Sequence, residues 1–232
     1  MNTTFNIKGA EIRPSISVKL LGIEIDNKLN FSKHISNICK KAGQQLSALA
    51  RLSKFLDPDT KLIVFNSFVL SNFNYCPLVW HHCSIRDNRK MEKIQERGLR
   101  FVYNDSKSSY KELLSKANKN ILYIERLKKL AVFVFRSKNE IGPASVHNMF
   151  VTKDLNYSLR DSSKCVQPKS NTTTFGLNSL TYSGAKLWNN ELPKKFKEIN
   201  DFNVFKKLVK TWSGPSCRCG VCTGCRLSEQ TA

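Results

Sequence analysis

The chain has 232 residues, 41% of them hydrophobic, enough to bury a sizeable core as one domain or two small ones and too apolar for disorder to be the default. Its 38 Lys and Arg against 18 Asp and Glu leave a formal charge of +20. That excess repels itself in a compact state and calls for an anionic partner, nucleic acid first and an anionic membrane surface second. No apolar run is long enough to span a bilayer. The start, Met1-Asn2-Thr3-Thr4, lacks the charged and apolar regions of a secretory signal. The expectation is therefore an intracellular protein, nuclear or cytoplasmic and not secreted, whose 8 cysteines are reduced thiols or metal ligands rather than a disulfide framework.

Residues 1–26 read as a β-hairpin. Phe5 and Ile7 alternate with polar neighbours, Lys8-Gly9 can turn, and Val18 to Asp26 forms a strand-like run with Val18, Leu20, Leu21, Ile23 and Ile25. Apolar residues on both faces of its first half are the pattern of a strand covered on both sides. A lone hairpin is marginal in water, so the rest of the sheet is expected upstream, and the chain is expected to be the carboxyl-terminal piece of a larger protein. Ser32 reads as an N-cap for an amphipathic helix over residues 33–54, with Ile35, Ile38, Cys39, Ala42, Leu46, Leu49 and Ala50 on one side. Lys33, Lys40, Lys41, Gln44 and Arg51 lie on the other. Asp57-Pro58 opens a helix over about 58–72, apolar nearly all round and so expected at the centre of a bundle.

Pro77 breaks the chain inside an aromatic corner, residues 73–83. A helix over about 85–103 buries Met91, Ile94, Leu99, Phe101 and Val102 and exposes Arg86, Arg89, Lys90, Lys93, Arg97 and Arg100. Ser109 with Glu112 is a capping-box pattern. Residues 123–139 form an amphipathic helix stopped by Gly142-Pro143. The periodicity weakens over 151–182, where only short strands around 173–182 are expected. Asp201 caps a last helix with Phe205, Leu208, Val209 and Trp212 on its apolar line, ended by Gly214-Pro215. The fold class is mainly α: an N-terminal hairpin remnant, a helical bundle, an irregular segment with short strands, a final helix and a Cys-rich tail.

Within nine residues the tail carries Cys217, Cys219, Cys222 and Cys225. Zinc takes four soft donors in a tetrahedron, and Gly220 and Gly224 permit the tight turns that would bring the thiolates round. A thiol-rich tail without metal is the other reading, and both stay open. His81, His82 and Cys83 read as a polar turn rather than a second site, and Cys39 and Cys76 as core residues. Glu24 and Asp26 could share one strand face and hold a divalent ion, but Asp26 sits where a strand ends, and the turn-forming role is favoured. No Gly-rich phosphate loop and no nucleophile elbow is present. Lysine-rich helix faces are often merely solvated. At +20 an inert role is hard to credit, and Lys33, Lys40, Lys41, Arg89, Lys93, Arg97 and Arg100 are the candidate phosphate contacts. Arg97 and Arg100 near Tyr103 mix cations with an aromatic, which suits backbone contact with some stacking.

Taken in order, several segments resemble jockey-like non-LTR (LINE-type) retrotransposon reverse transcriptases. Ser17-Val18-Lys19-Leu20-Leu21-Gly22-Ile23-Glu24-Ile25-Asp26, followed by Leu29-Asn30-Phe31-Ser32-Lys33-His34-Ile35, looks like the junction after the palm. Phe73-Asn74-Tyr75-Cys76-Pro77-Leu78-Val79-Trp80 and Glu96-Arg97-Gly98-Leu99-Arg100-Phe101-Val102-Tyr103-Asn104-Asp105 look like the thumb. Tyr157-Ser158-Leu159-Arg160, Gly184-Ala185-Lys186-Leu187-Trp188-Asn189 and the cysteines are similar to the downstream tail. The resemblance implies RNA-templated DNA synthesis by two-metal nucleotidyl transfer, with the magnesium ions and catalytic carboxylates in a polymerase core upstream of this chain. No aromatic-Ala-Asp-Asp segment occurs here, so no catalytic residue is carried over and no enzyme activity is expected of the chain alone. The family places the hairpin residues Leu21, Gly22 and Asp26 near the primer.

The expected division is a palm-end hairpin remnant over 1–27, a thumb-like bundle over 28–142, a linker region with short strands and a final helix over 143–213, and a zinc knuckle over 214–232. The implied partners are template and primer RNA and DNA and the missing polymerase domain, with no membrane. The rival is a domesticated host module, zinc-dependent, that binds nucleic acid or protein. It would need a self-sufficient fold and one stoichiometric zinc. A pseudogene product without a selected role is a third reading.

Overall fold

The structure, a computed structural model, describes residues 4–152, 164–173 and 175–215. It is mainly helical with a small β part of two hairpins. The described residues fall into two compact units: the chain up to Cys76 together with His82–Lys107, and Pro77–His81 together with the chain from Ser108 onward. The division therefore falls inside the stretch 28–142 that the sequence reads as one bundle.

In the first unit, β1 (Phe5–Ile7) pairs antiparallel with β2 (Ala10–Ile12), and β3 (Ser17–Leu20) with β4 (Ile23–Asp26), as two separate sheets. The run from Val18 to Asp26 is thus not one strand. Leu21 and Gly22, at φ 45° and 85°, fold it back on itself, so that Val18 faces Ile25 and Leu20 faces Ile23. Two central residues at positive φ make the two-residue turn whose twist matches a hairpin, and Gly22 adopts that backbone without strain. Nor is the run covered on both faces: Val18 and Leu20 are 56% and 58% exposed, and Ile23 is its buried residue.

Asp26 closes β4. Its Oδ1 accepts the amides of Lys28 and Asn30 at 3.0 and 3.1 Å, and its Oδ2 that of Phe31 at 2.7 Å. Burial alone would raise its pKa, but the Asn30, Phe31 and Lys28 amides hold the carboxyl below the usual range. Helix α1 (Ser32–Arg51) follows. Ser32 is its first helical residue and not its cap, because Phe31 occupies the capping position in a left-handed conformation and the Ser32 hydroxyl turns to Asp87 at 2.6 Å.

Asp57 caps α2 (Pro58–Val64), accepting the Thr60 amide at 3.0 Å. The helix does not continue regularly to 72. A π turn (Phe65–Val69) and a 3₁₀ turn (Leu70–Asn74) succeed it. The segment is not central either. Phe65, Val69, Leu70 and Phe73 are buried, but Ile63 and Phe68 remain 66% and 48% exposed. Ser84 caps α3 (Ile85–Tyr103), and Asn104 at φ 50° ends it in a left-handed turn. Met91, Leu99 and Val102 are buried as the periodicity requires; Ile94 and Phe101 are half-buried. Gly98 lets α3 approach the Phe65 ring closely.

In the second unit the reciprocal capping box of Ser109 and Glu112 starts α4 (Tyr110–Lys116). Helices α5 (Leu122–Lys138) and α6 (Ala144–His147) follow. Among its described residues the stretch 173–182 forms no strand: turns lead to α7 (Leu180–Lys186), capped by Ser179, and a π turn (Leu187–Glu191). A lone bridge pairs Thr152 with Cys165. After α8 (Lys194–Lys197), Asp201 caps α9 (Phe202–Thr211) by accepting the Val204 amide at 2.7 Å. This stretch is more than a linker. Trp188, Phe196, Phe205, Val209 and Trp212 share one core with Leu127, Leu130, Ala131, Val134 and Phe135 of α5. Phe135 and Phe205 stack with ring centres 4.2 Å apart.

Candidate nucleic-acid interface

Helix α3 carries its cations on the side away from its core. At ~100° per residue, Arg86, Arg89, Lys93, Arg97 and Arg100 fall within an arc of about 80°. The buried Met91, Gln95, Leu99 and Val102 lie opposite. Arg86, Arg89, Lys93 and Arg97 are exposed. Arg100 is half-buried and bound to Glu96, one turn back, at 2.7 Å, and to the Ser106 carbonyl at 3.0 Å. On α1 the same geometry aligns Lys33, Lys40, Gln44 and Arg51 opposite Ile35, Ala42, Leu46 and Leu49. Lys33 ion-pairs with Glu24 and also reaches Ser17. Of the seven candidate phosphate contacts, Lys40, Lys41, Arg89, Lys93 and Arg97 are exposed without an ion-pair partner among the described residues.

A polar joint fixes α1 against α3. The buried Asp87 carboxylate accepts from Ser32, from the Ser84 hydroxyl at 2.8 Å, and from Lys90 at 2.8 Å, while Lys90 also reaches Ser36 of α1. Burial by itself would raise the Asp87 pKa; the hydrogen bonds from Lys90, Ser32 and Ser84 and the Lys90 charge hold it below its usual value. Lys90 therefore belongs to this joint and not to the open stripe. Cys39 lies beside it, half-buried, with its thiol pushed up to about 12 by burial, a value that keeps it inert. Cys76 is exposed, at φ 41°, and is not a core residue.

Between the β3–β4 hairpin, α1 and the 3₁₀ turn lies a cleft of about 690 Å³, lined by Lys19 and Gly22, by Asn37 and Lys41, and by Asn72 and Tyr75 among others. The Tyr75 hydroxyl donates to the Leu21 carbonyl at 2.6 Å. The three hairpin residues are thus separated in role. Gly22 lines the cleft, Leu21 is exposed at the turn, and Asp26 is occupied by backbone amides. Glu24 engages Lys33 and accepts from Asn37 at 2.7 Å. His34, buried on α1, has its pKa lowered by burial, against an opposing pull from Glu24; its Nδ1 accepts the Glu24 amide at 3.4 Å. The cleft and the Asp87 joint depend on contacts between residues far apart in sequence. Periodicity gave no sign of either.

Among the described residues no group of three or more His, Cys, Asp or Glu side chains converges as a metal site. Cys217, Cys219, Cys222 and Cys225, like Tyr157–Arg160, lie outside the described residues. His81 is buried with its ring stacked on Tyr123 at 5.5 Å, and the Arg126 guanidinium lies over the rings of Trp80 and Tyr123 at 5.1 and 5.8 Å. These contacts make Trp80 and His81 packing residues of the second unit, while Phe73 and Tyr75 of the same aromatic corner belong to the first. No described helix is long and apolar enough to cross a membrane. Comparison of the chain with protein-family models, with curated proteins and with solved structures returned no match.

Proposed function

We propose that the chain is the carboxyl-terminal part of a non-LTR retrotransposon reverse transcriptase, with a thumb-like role: it holds template and primer through basic helices and has no polymerase activity by itself. The observation that carries this reading is the exposed cationic stripe of α3, backed by the helix's own core and set in a chain of formal charge +20. The eleven steps from Arg86 to Arg97 cover about 16 Å at ~1.5 Å per residue, with an exposed cation every three or four residues. A row of that kind follows a phosphate backbone without reading bases.

The test is a fluorescence-anisotropy titration of the full chain with a labelled RNA–DNA hybrid and with single strands over a salt series. Contact with about four phosphates gives a slope of about −3 to −4 in log K against log salt. The triple variant Arg89→Ala, Lys93→Ala, Arg97→Ala should weaken binding and flatten that slope by roughly one per removed cation. Absence of binding at low salt, or binding indifferent to salt, overturns the proposal. Primer extension by the pure chain with Mg²⁺ overturns its polymerase-inactive part.

A further inference from the structure

We infer that the cleft beneath the β3–β4 turn seats one unpaired nucleotide, with phosphate on Lys19 and Lys41 and the base against Tyr75. The inference rests on the nucleic-acid reading above and narrows its ligand from polynucleotide in general to a strand with a free base. The volume, about 690 Å³, lies in the range of roughly 300–1,000 Å³ that small-ligand clefts occupy. Lys19 comes from β3 and Lys41 from α1, so two cations reach the space from different elements. Glu24, the one carboxylate among the lining residues, is already engaged by Lys33 and Asn37. The cleft therefore presents a positive balance that favours an anion.

An anion alone does not account for Tyr75. Its side chain is held by the bond from its hydroxyl to the Leu21 carbonyl, yet the residue is 52% exposed. Gly22 sits beside the ring, where an added Cβ would lie 3.6 Å from Cε1. An exposed, pre-oriented aromatic lining the same cleft as two lysines suits a ligand with both a π face and a phosphate. The Asn37 and Asn72 carboxamides line the same space, and each has an oxygen to accept from a base edge or a sugar hydroxyl. In a duplex the bases are stacked and paired, so only an unpaired nucleotide can present its face here.

Two measurements on the full chain test this. In the first, anisotropy compares a labelled oligo-dT with a blunt duplex of equal length. Tyr75→Ala should cost about tenfold in single-strand affinity, the loss of one stacked base, and leave the duplex within twofold. Lys41→Gln, an exposed substitution on α1, should likewise weaken the single strand more than the duplex. In the second, adenosine 5′-monophosphate should shift the backbone amides of Gly22 and Lys41 saturably in ¹H–¹⁵N spectra, and inorganic phosphate should do so more weakly. Equal shifts with inorganic phosphate would mean a bare anion site and overturn the nucleotide assignment. If the wild type binds both oligonucleotides and Tyr75→Ala leaves both affinities within twofold, the cleft assignment fails and the nucleic-acid reading stands. If the wild type binds neither, both fall.

Discussion

Gly98 is the sharpest test of how α3 is seated. An alanine there would place its Cβ 2.0, 2.2 and 2.8 Å from Cε2, Cζ and Cδ2 of Phe65. Phe65 is fully buried, so its ring must move by more than an ångström through a close-packed interior, or α3 must shift away from it. Overpacking of this kind costs about 1–3 kcal/mol, and three ring atoms inside contact distance put Gly98→Ala at the upper end. Alanine returns about 1 kcal/mol of helix propensity at a mid-helix glycine. The net expectation is a loss of about 2 kcal/mol, or about 4–8 °C in Tm if the chain melts cooperatively as one. Urea unfolding followed by circular dichroism measures it. A smaller ring neighbour should rescue the change: Phe65→Leu in the Gly98→Ala background should show a coupling energy of about 1 kcal/mol or more in a double-mutant cycle. A Gly98→Ala protein as stable as the wild type would refute the seating of α3 on Phe65.

Asp87→Ala should cost about 3 kcal/mol in the same assay, the low end for breaking a buried charge pair because Lys90 is partly exposed; an unchanged urea midpoint would show that the Asp87 joint does not hold α1 to α3. His34 gives a pH dependence with a definite sign. Its folded pKa is lowered from 6.5, so as pH falls the unfolded chain takes up the proton first, and stability present above 6.5 is lost below it. His34 should lower the urea midpoint between pH 7.5 and 5.5, a contribution read as the difference from His34→Gln; the lowered carboxylates Asp26 and Asp87 act only below 3.8, and Glu191, raised by burial, acts with the opposite sign in both proteins and cancels in that difference.

Where local chemistry decides structure, the sequence was readable. Asp57-Pro58, Ser109 with Glu112, and Asp201 cap their helices as their side chains predict, and the strong periodicities of α3 and α5 set those helices within a residue or two. The cationic stripe of α3 follows from the same periodicity. The failures share a cause in contacts that no local pattern encodes. Leu21 is not a turn-forming residue, so the fold-back at Gly22 was hidden inside an apolar run. Asp87 takes one bond locally, from its helix cap Ser84 three residues earlier, but its tie to α1 comes from Ser32, 55 residues away, which no local pattern encodes. The pairing of Lys33 with Glu24 requires the hairpin to return to α1, whereas that of Arg100 with Glu96, one turn apart, could have been read directly. The apolar residues over 58–72 misled because Ile63, upstream of the π turn, and Phe68, within it, stay exposed although apolar, and because that turn holds one residue too many for an α turn.

That surplus residue occurs at Phe65–Val69 and again at Leu187–Glu191. Each π turn accommodates one residue beyond the α-helical count; the first runs on into the 3₁₀ turn Leu70–Asn74, and the second ends its helix, with Leu192 already extended. A chain shortened by a single residue at Phe65–Val69 would regularise the coil there and turn the buried Leu70 and Phe73 away from the packing they now have; at Leu187–Glu191 the same loss would shift the point where the buried Leu192 leaves the helix. Length at these two points is therefore a constraint as firm as residue identity, and any comparison by alignment should admit a one-residue gap there before anywhere else in the helices.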